Sequence, residues 1–191
     1  MATDIPEEVS NLRLVRAFRD LAVNVLDCIV ISNDHPLYVV DDDETKCSRL
    51  SCAQEVEAGG FTAHNPERKN LCLLSIDNKL MSNIAGGLAD CAVFCKDNFS
   101  FIEFKTNAEG NTQKAVEDTY EGAINQIIHT ITIFKQHLQR VGIDFLKHID
   151  VTPHVVVSSR FPRSSQHEQN LMVSFFETTG LPLSFVDYRI F

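Results

Sequence analysis

Apolar residues recur along this chain with two periods, and the switches between them set out an order of helices and strands. From 7 to about 28, Val9, Leu12, Val15, Leu21, Val25 and Leu26 fall near helical spacing behind Pro6, with Glu7 and Glu8 in the first turn, which predicts an opening helix. Residues 29–70 are broken by DDDET at 41–45, Gly59-Gly60 and NPERKN at 65–70, with short β-like pieces at 28–31 and 37–40. They read as an elaboration on a core fold. Three short apolar runs follow, 71–76, 88–95 and 99–106, each bounded by Gly, Asn, Asp or Lys and each predicted as a strand. Residues 113 to about 140 lack proline, end near Gly142 and place Val116, Tyr120, Ile124, Ile127, Ile131 and Phe134 three and four apart, which predicts a long amphipathic helix. A buried strand at 154–158, a helix at 165–178 and a last strand at 183–188 complete the chain.

Strands joined by tight turns form an antiparallel meander, whereas the passage 99–106, 113–140, 154–158 requires a right-handed parallel crossover. The expected class is therefore α/β, a mixed β-sheet flanked by helices, in a single domain over 1–191. A hydrophobic fraction of 44% and a charged fraction of 23% support a packed core, with 13 phenylalanines supplying most of its aromatic bulk.

The start, MATDIPEEVS, is acidic where a secretory signal is basic and then apolar, and no run reaches the roughly 20 apolar residues that span a bilayer. A cytoplasmic protein without a membrane partner is expected, its six cysteines reduced. Cys91 and Cys95 fall in an apolar strand as small core residues, and Cys47, Cys52 and Cys72 lack the CxxC or HxxxH spacing of a zinc site. A net charge of −9 disfavours nucleic-acid binding through Lys and Arg alone, but catalytic carboxylates are acidic of necessity and a bound cation adds charge that the sequence does not show.

Chemistry concentrates in GGLADCAVFCKDNFSFIEFKTNA, 86–108. Asp90 interrupts one apolar run, and Glu103 and Lys105 interrupt the next. Charges on a central strand are costly to desolvate, so three of them ask for a common reason. Alternation puts Glu103 and Lys105 on one face, away from Ile102 and Phe104. With Asp97-Asn98 as a two-residue turn, Lys96 pairs with Phe99, Asp90 falls opposite Lys105 and Ala92 opposite Glu103. Asp90 and Glu103 are then diagonal neighbours about 7–8 Å apart, within reach of one cation. An all-oxygen site of this kind suits Mg²⁺ or Mn²⁺. Read alone, ExK on a strand is also a plain cross-strand ion pair with Asp90.

At Asp90 and Glu103-Phe104-Lys105 the chain resembles the PD-(D/E)XK nuclease superfamily, over roughly residues 71–160. The resemblance implies a restriction endonuclease-like αβββαβ core and metal-dependent hydrolysis of nucleic-acid phosphodiesters, DNA before RNA. It implies Asp90 and Glu103 as metal ligands, the backbone carbonyl of Phe104 as another, Lys105 orienting or activating water, and Glu8 or Glu7 of the first helix near the metal. RecB- and Cas4-like members carry QxxxY on the helix after the third strand; Gln126 matches the glutamine and Thr130 stands at the tyrosine position.

Arg160 and Arg163, after the strand at 154–158, could grip phosphate but read first as a solvated loop. His129, His137, His148 and His154 share no metal spacing, and there is no GxxxxGK[ST] for ATP-driven chemistry. Two functional classes stand side by side: a metal-dependent nuclease, and a nuclease-like binding or regulatory module without turnover. Homo-oligomerisation and a protein partner are open under both.

Overall fold

A computed structural model describes residues 5–191, and the chain is α/β, with two mixed sheets flanked by helices. The elements in order are α1 (Glu7–Asn11), α2 (Leu14–Ala17), a 3₁₀ turn (Val25–Cys28), β1 (Ile29–Ser32), β2 (Leu37–Asp42), β3 (Cys47–Leu50), α3 (Ala53–Gly59), β4 (Phe61–His64), β5 (Leu71–Ser75), β6 (Cys91–Phe94) and β7 (Asn98–Lys105). Then come α4 (Gln113–Arg140), α5 (Phe145–His148), β8 (Asp150–Val151), β9 (His154–Val157), α6 (Ser165–Thr179) and β10 (Tyr188–Ile190). No helix among the described residues is long and apolar enough to cross a membrane. The acidic start read above includes residues 1–4, which lie outside the described part.

The larger sheet runs β1-β5-β6-β7, antiparallel throughout, and β7 then pairs in parallel with β8 and β9. The parallel step is made by α4, the long amphipathic helix, whose buried stripe Val116, Tyr120, Ala123, Ile127, Ile131, Phe134 and Leu138 lies on one face of the sheet. Thr112 caps it by accepting from the Ala115 amide at 3.1 Å, and the Arg13 guanidinium donates to the Val141 carbonyl past its end at 2.7 Å. Phe99 and Phe101 pack on each other, on Phe134 and on Phe145, with centroids 4.8–6.1 Å apart. Truncating Phe134 to alanine would cost on the order of 3–5 kcal/mol. The opposite face of β5, β6 and β7, with Leu73, Val93 and Ile102, packs on Leu37, Val39 and Phe61. Those residues belong to the second sheet, β10-β4-β2-β3, to which the stretch 29–70 contributes β2, β3 and β4 while its β1 joins the larger sheet.

Three expectations are corrected. The opening helix is divided into α1, α2 and the 3₁₀ turn, because Leu12 and Leu14 are both buried although two residues rotate a helix by about 200°. Arg13 resolves the conflict in the left-handed conformation, φ 51°, which ends one stripe and starts another. The β6–β7 turn is Lys96-Asp97, since the Cys95 amide donates to the Asn98 carbonyl at 2.9 Å and Phe94 pairs with Phe99. The last strand is displaced: Ser184 only bridges His154, and Tyr188–Ile190 joins β4 in the other sheet.

Candidate functional site

The β6–β7 register shifts by two residues from the expected one, and an even shift keeps every side chain on its face. Cys91 pairs with Ile102, so Asp90 comes alongside Glu103 rather than Lys105. Directly opposed positions are about 4.5–5.5 Å apart at Cβ, closer than the diagonal arrangement expected. Glu103 and Lys105 face α4, on the side of Phe99 and Phe101, and Asp90, just before β6, turns its carboxylate to the Phe104 amide. Lys105 Nζ lies 2.6 Å from Glu103 Oε1 and donates to Gln126 Oε1 at 2.7 Å. Glu103 is 1% exposed, and its other oxygen, Oε2, is buried without a hydrogen-bond partner among the described residues. Burial pushes the Glu103 acid up to about 7 against the pull of the Lys105 charge and, more weakly, of the Asp90 backbone amide beside it. Burial, then the Glu103 carboxylate, hold Asp90 well above the ordinary range, against the bond it receives from the Phe104 amide.

The approach to Asp90 is not strand. Because Cys95 and Asn98 form a hydrogen-bonding pair, 93/100, 91/102 and 89/104 are the next pairs of that kind. The 89/104 pair is not made, and β6 begins only at Cys91. Asp90 Oδ2 accepts the Phe104 amide at 2.6 Å, and the buried Ala89 amide donates to Thr130 Oγ1 at 2.7 Å. Further α4 groups hold the preceding residues: Gln126 Nε2 donates to Leu88 O at 3.2 Å, and His129 Nδ1 lies 2.9 Å from Gly87 O. Gly87 has φ 72°, and a Cβ there would meet Gln126 at 2.9 Å, so the double glycine answers both a conformational and a steric demand. A strand residue projects its N–H and C=O to the same side, so the Phe104 carbonyl faces the same gap as the amide bound by Asp90.

No family model, curated protein or solved structure matches this chain. The site's meaning therefore rests on its chemistry.

Asp90, Glu103, Lys105, Gln126 and the Phe104 backbone are brought together, and Glu8 makes no hydrogen bond or ion pair with any of them among the described residues. The charge of Glu8 reaches Cys72 in β5. Arg163 is bound to Glu168 at 2.7 Å and to the Phe185 carbonyl at 2.9 Å, which fixes it as a tie between α6 and the last segment; Arg160 is exposed. His129, His137 and His154 each contact a different backbone carbonyl. The cysteines are free thiols, with Cys91 and Cys95 in the core as expected. Residues that sequence reasoning missed are Thr130, and Asp41 and Asp77, whose charges reach Asp90 and Glu103 respectively. The available signal for Thr130 was its place four residues after Gln126, on the same helical stripe.

The donor set fits a divalent cation in kind. Two opposed carboxylates with raised acidities and one orphaned buried oxygen are an arrangement that positive charge relieves. No cluster of three or more His, Cys, Asp or Glu side chains arranged for a metal occurs among the described residues. Any further ligand would come from the backbone or from solvent.

Proposed function

We propose that this protein is a metal-dependent nuclease with a restriction endonuclease-like αβββαβ core, acting on nucleic-acid phosphodiesters, DNA before RNA. The observation that carries the reading is Glu103: a 1%-exposed carboxylate on the central strand, beside Asp90, with one oxygen on Lys105 and the other without a hydrogen-bond partner among the described residues. Asp90, Glu103 and the Phe104 carbonyl would hold Mg²⁺ or Mn²⁺, which when bound polarises the phosphate and lowers the pKa of water. Lys105, 25% exposed at its side chain, presents a cation at the mouth of the site, where negative charge develops on the phosphate. Gln126 keeps its ammonium on the sheet's α4 face. The test is incubation with single- and double-stranded DNA and with RNA, in Mg²⁺, Mn²⁺ or EDTA, with metal-dependent cleavage expected. A folded protein that cleaves none of them rules the reading out.

A second reading, a nuclease-like binding or regulatory module without turnover, is favoured by the net charge of −9 and by the way the polar groups satisfy each other. Lys105 already neutralises Glu103, and Asp90 already has the Phe104 amide. Under this reading the protein binds a partner but cleaves nothing in any metal.

A further inference from the structure

We propose that Thr130 is a positioning residue that holds the β6–β7 ladder open at Asp90, so that the Asp90 carboxylate and the Phe104 carbonyl face a gap instead of a closed strand pair. The proposal rests on the carboxylate pair being the functional centre.

Two acceptors compete for each of two backbone amides, those of Ala89 and Phe104. An antiparallel ladder in the register fixed by Cys91 and Ile102 would close next with Ala89 N–H on Phe104 O and Phe104 N–H on Ala89 O. Each amide instead has a side-chain acceptor: Thr130 Oγ1 for Ala89 at 2.7 Å, Asp90 Oδ2 for Phe104 at 2.6 Å. Ala89 and Thr130 are both fully buried, so the Ala89 amide cannot turn to water and must bond to one of the two. Thr130 is well held for the task, because its hydroxyl donates to the Gln126 carbonyl at 2.8 Å, leaving its lone pairs toward Ala89. The same turn of α4 thus orients Lys105 through Gln126 and keeps Asp90 out of strand geometry through Thr130.

Thr130→Val keeps the shape of the side chain and removes the acceptor. The Ala89 amide is then expected to close on Phe104 O, extending the ladder by one pair and drawing Phe104 N–H off Asp90. The readout is NMR on the full chain in metal-free buffer. In the parent, the Ala89 nitrogen should show no through-hydrogen-bond coupling to the Phe104 carbonyl carbon, and the Phe104 amide proton should lie downfield because its acceptor is a short carboxylate contact. Thr130→Val should acquire the coupling and move the Phe104 proton upfield, and Thr130→Ser should restore the parental spectrum. Mn²⁺ affinity, followed by calorimetry, should fall about 10–100-fold in Thr130→Val, the scale for groups that orient metal ligands, and return in Thr130→Ser. A folded Thr130→Val with the parental Phe104 shift and affinity overturns the proposal. So does an Ala89–Phe104 coupling in the parent, a result that stands even if the valine variant fails to fold. Absence of Mn²⁺ binding by the parent counts against the nuclease reading alone, because the coupling and shift measurements need no metal.

Discussion

Lys105 bonds one oxygen of Glu103 at 2.6 Å and leaves the other without a hydrogen-bond partner among the described residues, so the ion pair only half compensates the carboxylate it serves. The consequence is a pH dependence of unusual sign. The folded-state acid of Glu103 is raised from 4.5 to about 7, so between those values the folded chain binds more protons than the unfolded one. Stability then falls as pH rises through this window, by roughly 3 kcal/mol for a shift of this size; Asp90 acts in the same direction. Glu103→Gln keeps an acceptor for Lys105 and removes the titration. In metal-free buffer its stability relative to the parent should improve from pH 5 to pH 8, read from denaturant midpoints at each pH. A constant difference between the two proteins across that range refutes the raised acidity.

Divalent cations should reverse the effect. Mn²⁺ or Mg²⁺ bound only by the folded chain stabilises it by about 2.7 kcal/mol at a hundredfold excess over Kd. For a chain of this length that raises Tm by about 5–10 °C. Asp90→Asn should reduce the gain. A parental Tm that does not move with either ion over a wide concentration range shows that the carboxylate pair does not take up these metals.

Legibility in the sequence followed the range of the interactions concerned. The bounds of α4 and the shared face of Glu103 and Lys105 are local, set by a helical stripe between Thr112 and Gly142 and by strand alternation, and both were readable. The register was not, because Lys96-Asp97 and Asp97-Asn98 are both acceptable polar turns and only the packing of Phe94 on Phe99, centroids 5.0 Å apart, separates them. Thr130 was read as a departure from a motif, since its partner Ala89 lies 41 residues away. The second sheet draws β10 from the end of the chain to β4, a pairing no local pattern announces. The opening stretch misled because its apolar spacing is nearly helical while its buried positions change phase at Arg13.

His154 supplies an opposing acid sensitivity away from the site. It is 2% exposed between the sheets, with Nδ1 3.0 Å from Val186 O, Nε2 unpartnered among the described residues, and Phe61 against its ring. Burial first, then the Arg189 charge, lower its pKa from 6.5 to about 4. The unfolded chain therefore takes up a proton that the folded chain refuses, and stability falls as pH drops from 6.5 to about 4, by roughly 3 kcal/mol. His154→Gln should lose that part of the acid sensitivity. An imidazole that titrates near 6.5 in the folded protein, followed by NMR, would remove the basis of this prediction.

Lys105 separates chemistry from metal binding, because its ammonium is a neighbour of the carboxylates and not a ligand. It is bonded to both Glu103 and Gln126, and a quarter of its side chain is exposed at the mouth of the site. Lys105→Met retains much of the stem and removes the charge, so metal binding should persist while single-turnover cleavage falls. Loss of one preorganised group at a developing charge corresponds to about a hundredfold, roughly 2.7 kcal/mol of transition-state stabilisation. Glu103→Gln should lower metal affinity and cleavage together, which distinguishes a ligand from a charge stabiliser. Gln126→Leu should lie between them, since Lys105 keeps its charge and its bond to Glu103 but loses its tether to α4. If Lys105→Met cleaves at the parental rate under saturating metal, Lys105 is a structural counter-ion for Glu103, and the stabilisation of the phosphate must come from elsewhere.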